Sequence, residues 1–271
     1  YRHVLVDEFQ DISDGRGRLL LALKAQHPDA RIFAVGDDWQ SIYRFAGSDL
    51  SLVQKFGEVF GGTFASSDAV HHVVDLGRTF RNSDRIALAA RKFVLQNPSQ
   101  LDKRMVPAAE ADAPAIKIVH YTRNTEVRAL RVALDEIRQR STGRASVLLL
   151  GRYRFVQPDN LAALALEYPD LDMRFLTVHR SKGLEADHVI ILRAARGRMG
   201  LPSEIVDDSL LELVLPEPER FEHAEERRLF YVALTRARHS VTILVDREAP
   251  SAFATELLVD KAYGAAVLPD N

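Results

Sequence analysis

The 271-residue chain contains no cysteine. Disulfides and thiolate metal sites are therefore excluded, and the composition suits a reducing compartment, so the expected location is the cytoplasm. No apolar run approaches the ~20 residues that a membrane-spanning helix requires, and no membrane partner is expected. Positive charge is not in excess either: 36 Lys and Arg stand against 38 Asp and Glu, for a formal net charge of −2. A protein that grips duplex DNA mainly through phosphates is ordinarily basic. Any nucleic acid bound here is expected in a local groove, and single strands fit that description because stacking on aromatic rings supplies part of the affinity. The chain opens on Tyr1 and runs at once into Val4-Leu5-Val6, with no leader-like segment; it is expected to be a piece of a longer protein.

What is present is ordinary for a globular protein: 46% hydrophobic and 27% charged residues. The length accommodates one large domain or two average ones. Short apolar segments at 4–6, 31–35, 73–76, 116–120, 147–150, 175–178, 189–192 and 241–245 are predicted strands. Helices are predicted near 15–26, 49–57, 83–96, 125–140, 158–167, 222–238 and 251–258. Alternation of the two predicts an α/β fold with a mostly parallel sheet. Gly- and Ser-rich residues 57–70 read as a linker. The polar, proline-containing stretch 97–115 reads as an exposed loop, and 194–220 as a second irregular stretch.

Several strings carry chemistry. Asp7-Glu8-Phe9-Gln10-Asp11 directly follows the first strand, and the carboxyl end of a strand is where open α/β sheets place ligands. Asp7 can hold Mg²⁺ there, and Glu8 can polarise a water aimed at a γ-phosphate. Gly36-Asp37-Asp38-Trp39-Gln40-Ser41-Ile42-Tyr43-Arg44-Phe45 follows the second strand. Gln40 offers an amide to a γ-phosphate, and Tyr43 and Phe45 flank Arg44 in a cluster suited to stacking bases. Further on come Thr79-Phe80-Arg81-Asn82, Leu148-Leu149-Leu150-Gly151-Arg152, Thr177-Val178-His179-Arg180-Ser181-Lys182-Gly183-Leu184-Glu185 and Glu225-Glu226-Arg227-Arg228-Leu229-Phe230-Tyr231-Val232-Ala233-Leu234-Thr235-Arg236. Gly183 would allow a tight backbone turn. Leu229, Val232, Ala233 and Arg236 are spaced to share one helical face, which would carry Arg236 inward, where a guanidinium calls for an anionic partner.

In this order the strings resemble the motifs of the UvrD/Rep-like superfamily 1 helicases, over residues 1 to about 245. The resemblance implies a RecA-like P-loop NTPase core. Residues 1–66 would be the C-terminal part of the first RecA-like domain, 67–250 a second RecA-like domain, and 251–271 a C-terminal helix and tail. It implies ATP and Mg²⁺ as cofactors, with Asp7, Glu8 and Gln40 in one domain and Arg81 and Arg236 in the other acting on ATP. Phe80 would stack on adenine and Glu185 reach the ribose. Tyr43, Phe45, Thr177 and His179 would contact single-stranded DNA, or DNA with single-stranded tails. The implied activity is an ATP-driven 3′-to-5′ single-stranded DNA translocase or helicase, monomeric, with partners among DNA repair and transcription proteins. Two other outcomes are a UvrD-like ATPase that remodels an RNA polymerase complex without unwinding, and a folded binding domain without hydrolysis.

The sequence departs from the family pattern in three places. Ala46 stands where many relatives carry Arg, and Phe45 where Trp is common. No Gly-Lys dipeptide occurs, so the Gly-x-x-x-x-Gly-Lys-Ser/Thr phosphate loop is not among these residues and is expected upstream. About 95 residues separate Arg81 from Thr177, too few for the large extra subdomain that most relatives insert there.

Overall fold

The computed structural model describes residues 1–61, 71–103, 106–109, 114–206 and 208–269. In chain order its elements are β1 (His3–Val6), α1 (Asp14–Ala25), β2 (Arg31–Ala34), α2 (Leu50–Gln54), α3 (Phe56–Phe60), β3 (Arg78–Ser83), α4 (Asp84–Val94) and β4 (Val106–Ala109). There follow β5 (Ile116–Tyr121), α5 (Glu126–Arg140), β6 (Ala145–Gly151), α6 (Leu161–Glu167), β7 (Leu171–Thr177), α7 (Val178–Ser181) and β8 (Ala186–Ala194). Last come α8 (Ser209–Glu212), α9 (Ala224–Leu234), β9 (Ala237–Asp246), α10 (Ala252–Val259) and β10 (Ala266–Val267). The chain forms two compact units. Unit 1 comprises Tyr1–Asp75, Asn97–Lys103 and Val206–Arg228, and unit 2 comprises Leu76–Gln96, Arg104–Ile205 and Leu229–Asn271. The expected boundary between 66 and 67 lies outside the described residues.

In unit 1, β1 and β2 pair in parallel, with Val6 opposite Ala34. Phe9, Ile12, Leu20 and Phe60 form its core. The ring of Phe9 meets those of Phe56 and Phe60 edge-on at 5.4 and 5.5 Å, the geometry that ring quadrupoles favour. Residues 57–60 thus belong to a packed helix rather than to a linker.

Unit 2 holds a six-stranded sheet in the order β10-β5-β9-β8-β6-β7, with every pair parallel. Strands covered on both faces read as continuous apolar runs, and Val189-Ile190-Ile191-Leu192 is buried throughout. Leu130, Leu134 and Ile137 of α5 and Leu164 of α6 pack with Leu149, Ile190 and Leu244. A second cluster joins the rings of Phe93, Phe230 and Phe253, with centroids 5.1 to 5.4 Å apart. The parallel α/β expectation is met.

Three local expectations are corrected. Residues 73–76 form no strand; they lie in an exposed stretch, 71–77, ahead of β3. Stretch 97–115 is not simply an exposed loop: it contains β4, paired in parallel with β3, and its Asn97 and Gln100 are buried. Arg81 lies in β3. The helix expected to reach 238 stops at Leu234: the Arg236 N–H bonds the Ala233 carbonyl, three residues back, at 3.4 Å and Ala237 begins β9, while the Thr235 hydroxyl donates to the Tyr231 and Val232 carbonyls (2.9 and 3.2 Å) and Arg236 Nε to Val232 (3.0 Å). Side chains thereby take up the Val232 carbonyl near the end of the helix.

Where β8 and β9 begin, His188 is buried, with Nδ1 2.8 Å from Ser240 Oγ and Nε2 3.4 Å from Ser141 Oγ. Burial, with His239 beside it, pushes His188 from 6.5 down to about 4. As pH falls, the unfolded chain takes up this proton before the folded one does. Stability is expected to fall between pH 6.5 and 4 by up to about 3 kcal/mol from this residue. Urea unfolding across that window, compared with a His188→Gln chain, checks it: the two curves should diverge as pH falls, and parallel curves would remove His188 as the cause.

Candidate functional site

The carboxyl ends of β1 and β2 lie side by side in unit 1, so the two acidic strings share one sheet edge. Asp7 and Glu8 are both exposed there. Glu8 sits in the left-handed region at φ 49°, and its N–H donates to Asp7 Oδ1 at 2.8 Å. A non-glycine residue at positive φ is strained and persists only where its surroundings fix it. Gln10 does part of the fixing. Fully buried, it donates through Nε2 to Glu8 Oε2, while its Oε1 accepts the Asp37 N–H at 2.8 Å. One amide therefore joins the ends of the two strands. The same contact explains Gly36: a β-carbon there would lie 2.7 Å from Gln10 Oε1 and 3.1 Å from the Phe9 and Gln10 nitrogens.

Asp37 organises the second string. Its Oδ1 accepts the Trp39 N–H at 3.1 Å and Lys103 Nζ at 2.6 Å, and its Oδ2 accepts Gln40 Nε2 at 2.7 Å. Lys103 also pairs with Asp38, which is buried. Burial pushes the Asp38 carboxyl up despite the lysine; Lys103 is itself drawn down by burial but raised on balance by Asp37 and Asp38. Trp39, 1% exposed, donates Nε1 to the Leu101 carbonyl at 2.9 Å. The rings of Tyr43 and Phe45 meet edge-on at 5.9 Å, and Phe45 is 62% exposed. Burial raises the Tyr43 phenol, helped by the charges of Asp11 and Glu8. Arg44 is tied down: its N–H donates to Glu225 Oε1 (3.1 Å) and its Nε to the Pro216 carbonyl (2.9 Å). Arg228, nearly buried, pairs with Glu219 and donates Nε to the Ser41 carbonyl at 2.6 Å.

In unit 2 the expected site residues fall on two opposite edges of the sheet. At the amino edge Ala186 of β8 pairs with Ala237 of β9, and both are the first residues of their strands. Glu185 and Arg236 immediately precede them. Arg236 is 0% exposed and donates to the carbonyls of Val232 (3.0 Å) and Leu184 (3.2 Å) and to Thr235 Oγ1 (3.2 Å). Its inward placement is as expected, but it arises from the turn after α9, and neutral oxygens rather than only an anion receive its donors. Asn82 joins the same corner, donating to the Thr235 and Ala237 carbonyls at 3.0 and 2.6 Å. The backbone of Phe80 and Arg81 leads into Asn82 along β3; their side chains lie outside the described residues. Glu185 is exposed and ion-paired with Arg238, a half-exposed pair of small energetic weight. Gly183 adopts φ +80°, the turn its residue type foretold. At the carboxyl edge Thr177 ends β7 opposite Gly151, and His179 follows in α7, both partly exposed.

Sequence reasoning missed the residues that hold the site together: Gln10, Asp37, Asn82, Lys103 and Arg228. Gln10, Asp37, Asn82 and Arg228 stand inside quoted strings, so a signal existed. Lys103 stands in a stretch with none.

The carboxylates after β1 are hard oxygen donors of the kind Mg²⁺ takes. Asp7 and Glu8, both exposed, fit a divalent cation as one part of its shell, and among the described residues no cluster of three or more such ligands completes it.

Two family models match the chain: a UvrD/REP helicase N-terminal domain over residues 1–61 and a UvrD-like helicase C-terminal domain over residues 155–248. The chain is 41% identical over 253 residues to DNA helicase IV of Escherichia coli, covering 93% of this chain and 35% of that protein. It is 24% identical over 249 residues to a probable DNA helicase of Mycoplasma pneumoniae, covering 87% and 42%. With the ATP-dependent DNA helicase UvrD1 of Mycobacterium tuberculosis it shares 26% identity over 146 residues, 52% of this chain and 18% of that protein. The chain therefore spans less than half the length of these relatives.

Proposed function

The chain belongs to the UvrD/Rep-like helicase family, and from that premise we propose that it is part of the motor of an ATP-dependent, single-stranded DNA translocase that unwinds duplexes in the 3′-to-5′ direction. The observation that supports this most is the joined edge in unit 1, where Gln10 links the carboxylate of Glu8 to the string that carries Gln40.

Bound Mg-ATP supplies the scissile γ-phosphoryl group and a divalent charge. Asp7 would hold the cation, and Glu8 takes a proton from the attacking water. Gln40 orients that water or a γ-phosphate oxygen through its amide. Arg236 and Arg81 neutralise charge that develops on the transferred group. Phe80 stacks on adenine, and Glu185 shares its carboxylate between Arg238 and the ribose. Tyr43 and Phe45 stack bases of a single strand, while Thr177 and His179, at the far sheet edge from Arg236, hold its backbone. The protein works as a monomer in the cytoplasm.

ATP hydrolysis by the intact protein, with and without a single-stranded oligonucleotide, tests this reading. Hydrolysis should depend on the single strand and respond weakly to blunt duplex. Equal rates in all three conditions would sink it. The exposed ring of Phe45 adds a second check: Phe45→Ala should weaken single-strand binding by about 1–3 kcal/mol, the usual value of one stacked base, measured by fluorescence anisotropy.

A further inference from the structure

Residues Asn97–Lys103 belong to unit 1 although the chain on both sides belongs to unit 2. This short excursion is bound tightly. The Leu101 carbonyl accepts Trp39 Nε1 at 2.9 Å, and the Leu101 N–H donates to Asp38 Oδ2 at 3.0 Å. The Ser99 carbonyl accepts Gln54 Nε2 at 2.7 Å, and Asn97 Nδ2 donates to Glu219 Oε1 at 3.2 Å. Its last residue, Lys103, reaches the string after β2: Nζ bonds Asp37 Oδ1 at 2.6 Å, pairs with Asp38, and lies 5.0 Å from the centre of the Trp39 ring. Both Lys103 and Asp37 are largely buried, with side chains 23% and 27% exposed, and the Asp38 side chain is fully buried.

The consequence concerns Gln40. A glutamine amide can present either its oxygen or its NH₂ to a ligand, and a half-turn about the last side-chain bond exchanges them. Here Asp37 Oδ2 takes Nε2 at 2.7 Å, which selects one of the two orientations. That selection requires the Asp37 carboxylate to be fixed. Lys103 fixes it: it holds Oδ1 at 2.6 Å and pairs with the adjacent Asp38, leaving Oδ2 turned to Gln40. Charge-assisted bonds of this kind are shorter and stronger than neutral ones. Asp37 in turn reaches Glu8, because its N–H is held by the same Gln10 that donates to the Glu8 carboxylate.

We infer that Lys103 is a positioning residue for nucleotide hydrolysis, acting through Asp37 to set the orientation of the Gln40 amide. The inference rests on the reading that Gln40 addresses the γ-phosphate, and the test separates the two. In the nucleotide-free intact protein, Lys103→Met should raise amide hydrogen exchange in the peptide covering residues 36–42 at least tenfold while leaving β5–β6 peptides unchanged. In turnover, Lys103→Met should lower kcat for ATP at least tenfold with less than a twofold change in KM. Adding Gln40→Ala to Lys103→Met should then cost little more, because both changes remove one device. Should Lys103→Met fail to fold, Lys103→Met with Asp38→Asn removes the uncompensated buried charge and carries the same comparison. If Gln40→Ala slows turnover but Lys103→Met does not, or if the two losses multiply, Lys103 is a structural tie only and the inference is overturned. If Gln40→Ala leaves turnover unchanged, the reading of Gln40 fails and the inference falls with it.

Discussion

Glu8→Gln in the intact protein is expected to lower ATP turnover by a factor on the order of 10²–10⁴, the usual contribution of a positioned general base. ATP affinity should stay within about threefold. The substitution keeps the size of the side chain and leaves an oxygen to accept the Gln10 amide, so the strand-end link survives. What it removes is the capacity to accept a proton from water. Asp7, the expected cation ligand, is untouched. Phosphate release gives the rate, and a fluorescent nucleotide analogue gives the affinity. Turnover above one tenth of the parent's would remove Glu8 as the base. The strained backbone at Glu8 makes a further contrast: Glu8→Gly should also lose turnover, yet relieve the φ 49° conformation and cost no stability from that source.

Arg236→Ala is expected to cost about 10³-fold in hydrolysis if its guanidinium meets the developing charge. It also removes one donor each from the Leu184 and Val232 carbonyls; Val232 keeps the Thr235 hydroxyl, so the stability cost comes mainly from the space left by a large buried side chain. The two effects separate in Arg236→Lys, which keeps the charge but not the planar fork. A catalytic role predicts that both variants lose turnover by at least a hundredfold while melting close to the parent in the Lys case. A loss below tenfold in Arg236→Ala, with a lowered melting temperature, would leave Arg236 as the tie between the 182–185 loop and the end of α9.

How much of this was visible beforehand follows from the kind of signal each part left. Strands β5, β6, β8 and β9 announced themselves as apolar runs because a parallel sheet covered on both faces has no polar side to show, whereas β7 was read only over its last residues and β10 was taken for part of a tail. The placement of Asp7, Glu8 and Gln40 at one edge followed from their position after strands. Strand β4 was hidden because a proline at 107 argues for a loop, and an edge partner such as this tolerates proline without losing its pairing. The end of α9 was misjudged because spacing alone carried the helical face on to Arg236; periodicity does not report where the backbone bonding shifts from the fourth residue back to the third, as it does at Arg236. Lys103 was illegible for a different reason. Its partners lie more than 60 residues away, and nothing local distinguishes a lysine that closes a tertiary ion pair from one that faces solvent.

The path of the chain bears on how the protein can be dissected. It changes unit after residues 75, 96, 103, 205 and 228, so neither unit corresponds to a continuous stretch of gene. A truncation that ends at residue 61, as the first family match does, would discard Lys103, the Leu101 carbonyl and the Glu219–Arg228 pair together, leaving Asp38 and the indole of Trp39 facing solvent or collapse. Swapping or shuffling halves between relatives would fail for the same reason unless the three segments of unit 1 travelled as a set.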